Sequence, residues 1–200
     1  MNNIHILILA AGSSSRMNGI KQLLKFRDKN LLQNAIDEAR SSDAEKVFCV
    51  LGANHEKING QINTEGITIL HNENWQEGLG SSLAFGVDQI SRTEESDGIL
   101  VMLADQPLID SAYLNSLIQA FSNHKEKIIA SNYGNKKGVP ALFPKFLYPK
   151  LINLKGDSGA REIIQENEDL IVSLSAGKSL MDIDTKEDYL KLENIDKDNN

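Results

Sequence analysis

Two cations and a handful of carboxylates stand where the chain changes character. After the apolar run Ile4–Ala10 come Ala10, Ala11 and Gly12, then Ser13, Ser14 and Ser15, with Arg16 and Lys21 close behind. Small residues let a bound group approach the backbone, the serines add donors, and the two cations suit phosphate oxygens. The order matches neither GxxxxGK[ST] nor GxGxxG, and an ordinary βα connection with a surface Arg and Lys is the plain alternative. Asp105 follows another apolar run, residues 99–104. A carboxylate there could hold Mg²⁺ through hard oxygen contacts, or serve as a turn residue, although Asp110 is the better cap for the next helix. Asp182 and Asp184 alternate along an extended stretch, so either could join Asp105 on a metal; Thr185 and Asp188 read instead as a capping box. Two further small-residue stretches open helical patterns, Gly78-Leu79-Gly80-Ser81-Ser82 and Gly156-Asp157-Ser158-Gly159-Ala160-Arg161. The first could hold a ribose, base edge or anion. Ser81, Ser82 and Asp157 could equally be helix caps, while Gly159 suggests close approach of a ligand.

The elements that must position these groups follow from periodicity. Continuous apolar runs at Ile4–Ala10 and at 47–51, 67–70, 99–104, 128–130 and 170–174 suit strands covered on both faces, as in a parallel sheet. Between them, 31–41, 83–90 and 113–121 carry helical spacing. Strands alternating with helices imply a doubly wound, mostly parallel α/β sheet. Ligands of such sheets sit beyond the carboxyl ends of the strands, so the four tails at 10–21, 52–54, 71–72 and 105–107 should crowd one edge. The region 136–159, with Pro140, Pro144 and Pro149, reads as an elaboration over the sheet edge. One domain is expected over 1–193, with a polar tail at 194–200.

Composition narrows the classes. The net charge of −7 argues against a nucleic-acid surface, though not against a nucleotide held by a few local cations. No apolar run could span a bilayer, and IHILILAA is short and lacks a basic leader, so no membrane association is expected. Cys49 is the single cysteine, so a cytoplasmic location is expected. The four histidines show no metal-ligand spacing, no GxSxG elbow is present, and Trp75 reads as a packing residue.

Read in order, LILAAGSSSRMNGIKQLL, NENWQEGLGSSLAFGV, LADQPLI, KGVPALF, GDSGAR and DIDTKEDYLKL resemble the signatures of the MobA-like nucleotidyltransferases, in particular the molybdenum cofactor cytidylyltransferases. The matches extend from Ile6 to about Leu192. Asn18, Ile20, Glu73 and Lys186 depart from the usual Gly or Pro, and none removes a charge. The resemblance implies a three-layer, Rossmann-like nucleotidyltransferase fold. It implies that the backbone at Leu9, Ala10, Ala11 and Gly12 holds base and ribose, and that Arg16 and Lys21 neutralise the triphosphate as catalytic residues with Asp105. Asp105 and Asp184 would hold Mg²⁺, and Gly80, Ser81 and Ser82 would line the nucleotide site. Gly138, Pro140, Asp157, Gly159 and Arg161 would face the acceptor. Ala11, where the guanylyl-transferring branch tends to have Gly, tilts the reading to CTP. The implied reaction passes CMP to the terminal phosphate of molybdopterin, with a molybdoenzyme or its maturation chaperone as receiving partner. A guanylyltransferase, a sugar- or polyol-phosphate nucleotidyltransferase, and a non-catalytic NTP-binding cofactor chaperone are the alternatives.

Overall fold

Alternation along the first strand divides the molecule. In the computed structural model, which describes residues 2–14, 17, 19–134, 136–177 and 180–198, β1 (Ile4–Ala10) is buried at every position. Ile4, Ile6 and Ile8 join the core cluster on one face, and Leu7 and Leu9 join that on the other. Successive strand side chains point to opposite faces, so a wholly apolar strand demands a helical layer on each. One layer holds α1 (Leu31–Arg40), α2 (His55–Asn59) and α4 (Ser111–Asn123); the other holds α3 (Leu79–Thr93), α5 (Tyr148–Ile152) and α6 (Ala160–Glu166). The result is the three-layer arrangement expected.

The sheet also contains β4 (Lys46–Leu51), β5 (Thr68–His71), β6 (Gly98–Leu103), β7 (Ile128–Asn132), β8 (Lys137–Pro144) and β9 (Ile171–Ser175). Their order is β5-β4-β1-β6-β8-β7-β9. β5, β4, β1 and β6 run parallel, so their carboxyl ends share one edge. A short hairpin of β2 (Lys25–Phe26) and β3 (Lys29–Asn30) lies apart, its Phe26 packed with Ile183 and Leu192 of the C-terminal region.

β8 corrects one expectation. It does not lie over the sheet edge; it is an interior strand, antiparallel to β6 and β7. Ala141, Leu142 and Phe143 are fully buried and supply the apolar stretch an inner strand needs. Pro140 is accommodated because the register shifts there: Ala130 pairs with Ala141 but Ser131 with Gly138. Val139 and Pro140 therefore fall in a bulge, where no ladder N–H is required of proline. The terminal helix α7 (Lys186–Asp198) continues past residue 194, where the sequence reading begins a tail. Lys, Glu and Leu, all good helix formers, recur along it, and its start is secured by the expected capping box. The Thr185 hydroxyl and backbone N–H both donate to Asp188 Oδ2, at 2.7 and 3.0 Å, and the Asp188 N–H donates back to Thr185 Oγ1. Asp110 caps α4 as expected, accepting from the Tyr113 N–H at 2.8 Å.

Candidate active site

The loop after β1 is shaped by its own small side chains. Gln22, buried, donates its amide to Ala10 O and Gly12 O at 2.8 and 2.9 Å and so clamps the backbone there. Ser14 adopts a left-handed conformation, and its hydroxyl accepts from the Lys21 N–H and donates to Gln22 Oε1. These bonds return the chain so that Lys21 points back across the sheet edge. Arg16 and Ser15, given phosphate-binding roles above, and Asn18 lie outside the described residues.

Lys21 is the hub. Its Nζ donates to Asp105 Oδ2 at 2.6 Å and to Asp184 Oδ1 at 2.9 Å. Asp105 leaves the end of β6, and the Ile183 N–H donates to the Asp105 carbonyl at 3.0 Å. The Ile183 side chain is fully buried in the cluster around Phe26, which anchors the acidic segment beside β6. Asp182 and Asp184 flank that anchor. Asp184 reaches Lys21, whereas Asp182 accepts from Gln106 Nε2 at 2.8 Å.

Charge is unevenly balanced here. Burial pushes the Asp105 carboxyl above the usual carboxylate range, against the pull of Lys21, and Asp182 and Asp184 add to the push. Burial alone would lower the Lys21 pKa, but the Asp105 and Asp184 charges outweigh it and hold the ammonium above its ordinary value. Asp105 Oδ1 is buried with no hydrogen-bond partner. A carboxylate pair that one ammonium does not satisfy, with an orphaned oxygen, fits a hard divalent cation. Among the described residues no three His, Cys, Asp or Glu side chains converge on one point, and Asp105 and Asp184 are the carboxylates that meet at Lys21.

Two cavities meet at this edge. The first, about 470 Å³, is lined by Leu9, Ala10, Ala11, Gly12, Lys21, Asp105, Asp182 and Asp184. The second, about 510 Å³, is lined by Gly138, Asp157, Gly159 and Arg161 together with Gln106, Tyr133, Lys136, Lys137 and Asp182. Asp182, Leu9, Leu79 and Leu103 line both. The tails at 52–54 and 71 reach the same edge but border a separate hollow beside Ser13.

Several residues singled out in the sequence sit elsewhere. Ser82 is buried and accepts from Asn72 Nδ2 at 3.1 Å; Ser81 accepts from the same amide and donates to Asn74 O. Neither caps α3, whose N-cap is Gly78. Gly80 packs rather than opens: a Cβ there would come within 2.2 Å of Ser158 O. Pro140 is buried, and its carbonyl accepts from Ser131 Oγ at 2.6 Å. Asp157 is not a cap; Gly159 is the N-cap of α6. Tyr133 escaped the sequence reading, and Gln106, Lys136, Lys137 and Leu79 appeared there only inside longer stretches, with no role of their own. Gln106 stood next to Asp105, but nothing local revealed that its amide would also bond the Tyr133 hydroxyl at 2.6 Å and Val139 O at 3.1 Å.

His5 is a core residue, its pKa lowered by burial, and its ring packs edge-on to Phe48. Trp75 packs against the core as expected.

A mostly parallel sheet with a clamped small-residue loop, a lysine and two carboxylates at the carboxyl edge of its parallel strands is the layout of a nucleotidyltransferase. The MobA-like NTP transferase domain model matches residues 6–170, and the chain belongs to that family. It is 29% identical to nicotine blue oxidoreductase of Paenarthrobacter nicotinovorans, covering 93% of this chain and 94% of that protein. It is 27% identical to purine catabolism protein PucB of Bacillus subtilis (strain 168), covering 92% of each. Among solved structures, Rv0371c of Mycobacterium tuberculosis H37Rv superposes with a TM-score of 0.84 at 27% identity, covering 96% of this chain and 97% of that one. The same protein has been crystallised as a complex with manganese; that structure has a TM-score of 0.81 at 26% identity, covering 95% and 97%.

Proposed function

We propose that this protein is a Mg²⁺-dependent cytidylyltransferase that passes CMP from CTP to the terminal phosphate of a molybdopterin-type cofactor, releasing pyrophosphate. The observation that carries the reading is the Lys21 ammonium held 2.6 Å from Asp105 and 2.9 Å from Asp184 at the rim of the Leu9–Gly12 loop. That Rv0371c has been crystallised with manganese supports a divalent ion, and the carboxylate pair is where we place it. Mg²⁺ is commonly bound by one or two carboxylates plus substrate phosphates, which suits the donors here. When bound, the ion would supply a Lewis-acidic charge on the triphosphate.

The chain's own residues do the rest. The backbone of Leu9 to Gly12 receives base and ribose in the first cavity, where the Ala11 methyl favours the smaller pyrimidine. Lys21, with Arg16, neutralises the phosphates. The second cavity presents Lys136, Lys137 and Arg161 to an anionic acceptor. An acceptor phosphate oxygen attacks the α-phosphorus in line; the new P–O bond forms as the bond to the β-phosphate bridge breaks, and pyrophosphate carries the electron pair away. The attacking oxygen is already anionic, so no general base is required. Positioning and charge neutralisation supply the acceleration. A molybdoenzyme or its maturation chaperone would receive the product, in the cytoplasm.

The test is pyrophosphate release with each NTP and a panel of phosphorylated acceptors including molybdopterin. Release specific to CTP and molybdopterin is expected, and Asp105→Ala should abolish it with the fold retained. Near-normal release by that variant would remove Asp105 from the site, and nucleotide binding without release would make the chain a non-catalytic binder. The name of the Paenarthrobacter relative suggests a second reading, an oxidoreductase. The absent GxGxxG speaks against it, and NAD(P)H oxidation with candidate acceptors would establish it.

A further inference from the structure

Lys21 is assigned to the triphosphate, yet its ammonium is spent on the two carboxylates. Two of its three N–H bonds go to Asp105 Oδ2 and Asp184 Oδ1. Its side chain is only 14% exposed, so it is lodged between the two elements rather than resting on the surface. The seat between Asp105 and Asp184 is the one a divalent ion needs, and two positive charges a few ångströms apart in a partly buried site repel strongly. We propose that Lys21 is the resting-state counterion of the acidic pair, so that metal and triphosphate bind together: the polyphosphate draws the ammonium out as the metal takes its seat. The idea rests on the nucleotidyltransferase reading and names the regulation of that site.

Three features of the site support this. The described residues offer two carboxylates and no third His, Cys, Asp or Glu to join them, so water or phosphate oxygens must complete the ion's shell, and the charged phosphate oxygens are the stronger ligands. Lys21 belongs to the loop that would receive the nucleotide, being linked to Ser14 by its own backbone N–H, so nucleotide contact and lysine position are mechanically joined. Asp105 Oδ1 is buried and left unbonded by the lysine, which makes it a ready ligand for an ion once the ammonium is drawn aside. Free metal should then bind weakly, free nucleotide should meet a preoccupied lysine, and each should strengthen the other by the same factor.

The experiment is titration of the full chain with Mn²⁺, reading the electron paramagnetic resonance signal of the free ion, with and without CTP. Wild-type protein, Lys21→Met and Asp105→Asn are compared, with Lys21→Gln in reserve should the Met variant fail to fold. Lys21→Met should bind Mn²⁺ alone about 10-fold tighter than wild type, a coupling of ordinary size. CTP should raise wild-type Mn²⁺ affinity by a similar factor and that of Lys21→Met far less. Equal or weaker Mn²⁺ binding by both Lys21 variants, with Asp105→Asn losing it, would overturn the counterion role and leave the metal site standing. Undiminished Mn²⁺ binding by Asp105→Asn would overturn the metal site itself, and the counterion role with it.

Discussion

A single ammonium between two carboxylates sets the chemistry of this edge. Lys21→Ala removes the charge that holds the acidic segment against β6 and, in the reading proposed, a charge on the triphosphate. Losing one such electrostatic contact in a partly buried site should lower turnover about 10²–10³-fold, measured as pyrophosphate release, with circular dichroism unchanged. An unaltered rate would take Lys21 out of the chemistry. Cys49 makes a contrasting case. It is wholly buried in β4, and burial pushes its thiol up to about 12. Because the thiolate is the reactive form, Ellman's reagent should leave the native protein untouched at neutral pH and modify one thiol per chain after unfolding in urea. Rapid labelling of the native state would contradict its place in the core.

At the scale of elements, the join between α3 and the loop before α6 is what brings the two cavities together. The Gly80 N–H donates to Gly156 O at 2.9 Å, and a Cβ on Gly78, at φ 106°, would lie 2.3 Å from that same oxygen. A Cβ on Gly80 would lie 2.2 Å from the Ser158 carbonyl, a backbone atom that cannot swing aside. Gly80→Ala should therefore cost about 1–3 kcal/mol, the usual range for forced overpacking, read as a lower urea midpoint with the slope unchanged. A stability equal to wild type would mean the helix and loop can part freely. This residue reads in the sequence as part of a nucleotide wall; in the fold it packs on the loop before α6, next to Leu79, which lines both cavities.

For the whole molecule, a net charge of −7 surrounds a site whose cations are gathered at one edge. Anionic substrates would be held by local charges and metal, not by a general field. Anything that binds the folded chain alone stabilises it, by about 2.7 kcal/mol at a ligand concentration 100 times Kd. CTP with Mg²⁺ should raise the melting temperature by several degrees, more than GTP with Mg²⁺, and chelation of the metal should abolish most of the shift. Equal shifts with both nucleotides would argue against the role given to Ala11.

The strands and helices were legible because continuous apolar runs and 3.6-residue spacing are local properties. Ile4–Ala10 declares a two-faced strand, and Asp110 and Thr185 declare helix starts, without reference to anything distant. The loop after β1 was equally readable in type, small and cationic. Only the tertiary structure decided that Asp184, not Asp182, reaches Lys21: both flank the buried Ile183, and where that residue docks along the end of β6 sets which carboxylate lies beside the lysine and which beside Gln106. Likewise only the fold could seat β8 inside the sheet, because its proline is tolerated at a register shift set by the neighbouring strand. Short-range sterics and hydrophobic periodicity are written in neighbouring residues; which carboxylate meets which cation across a hundred residues depends on packing that the whole chain makes at once.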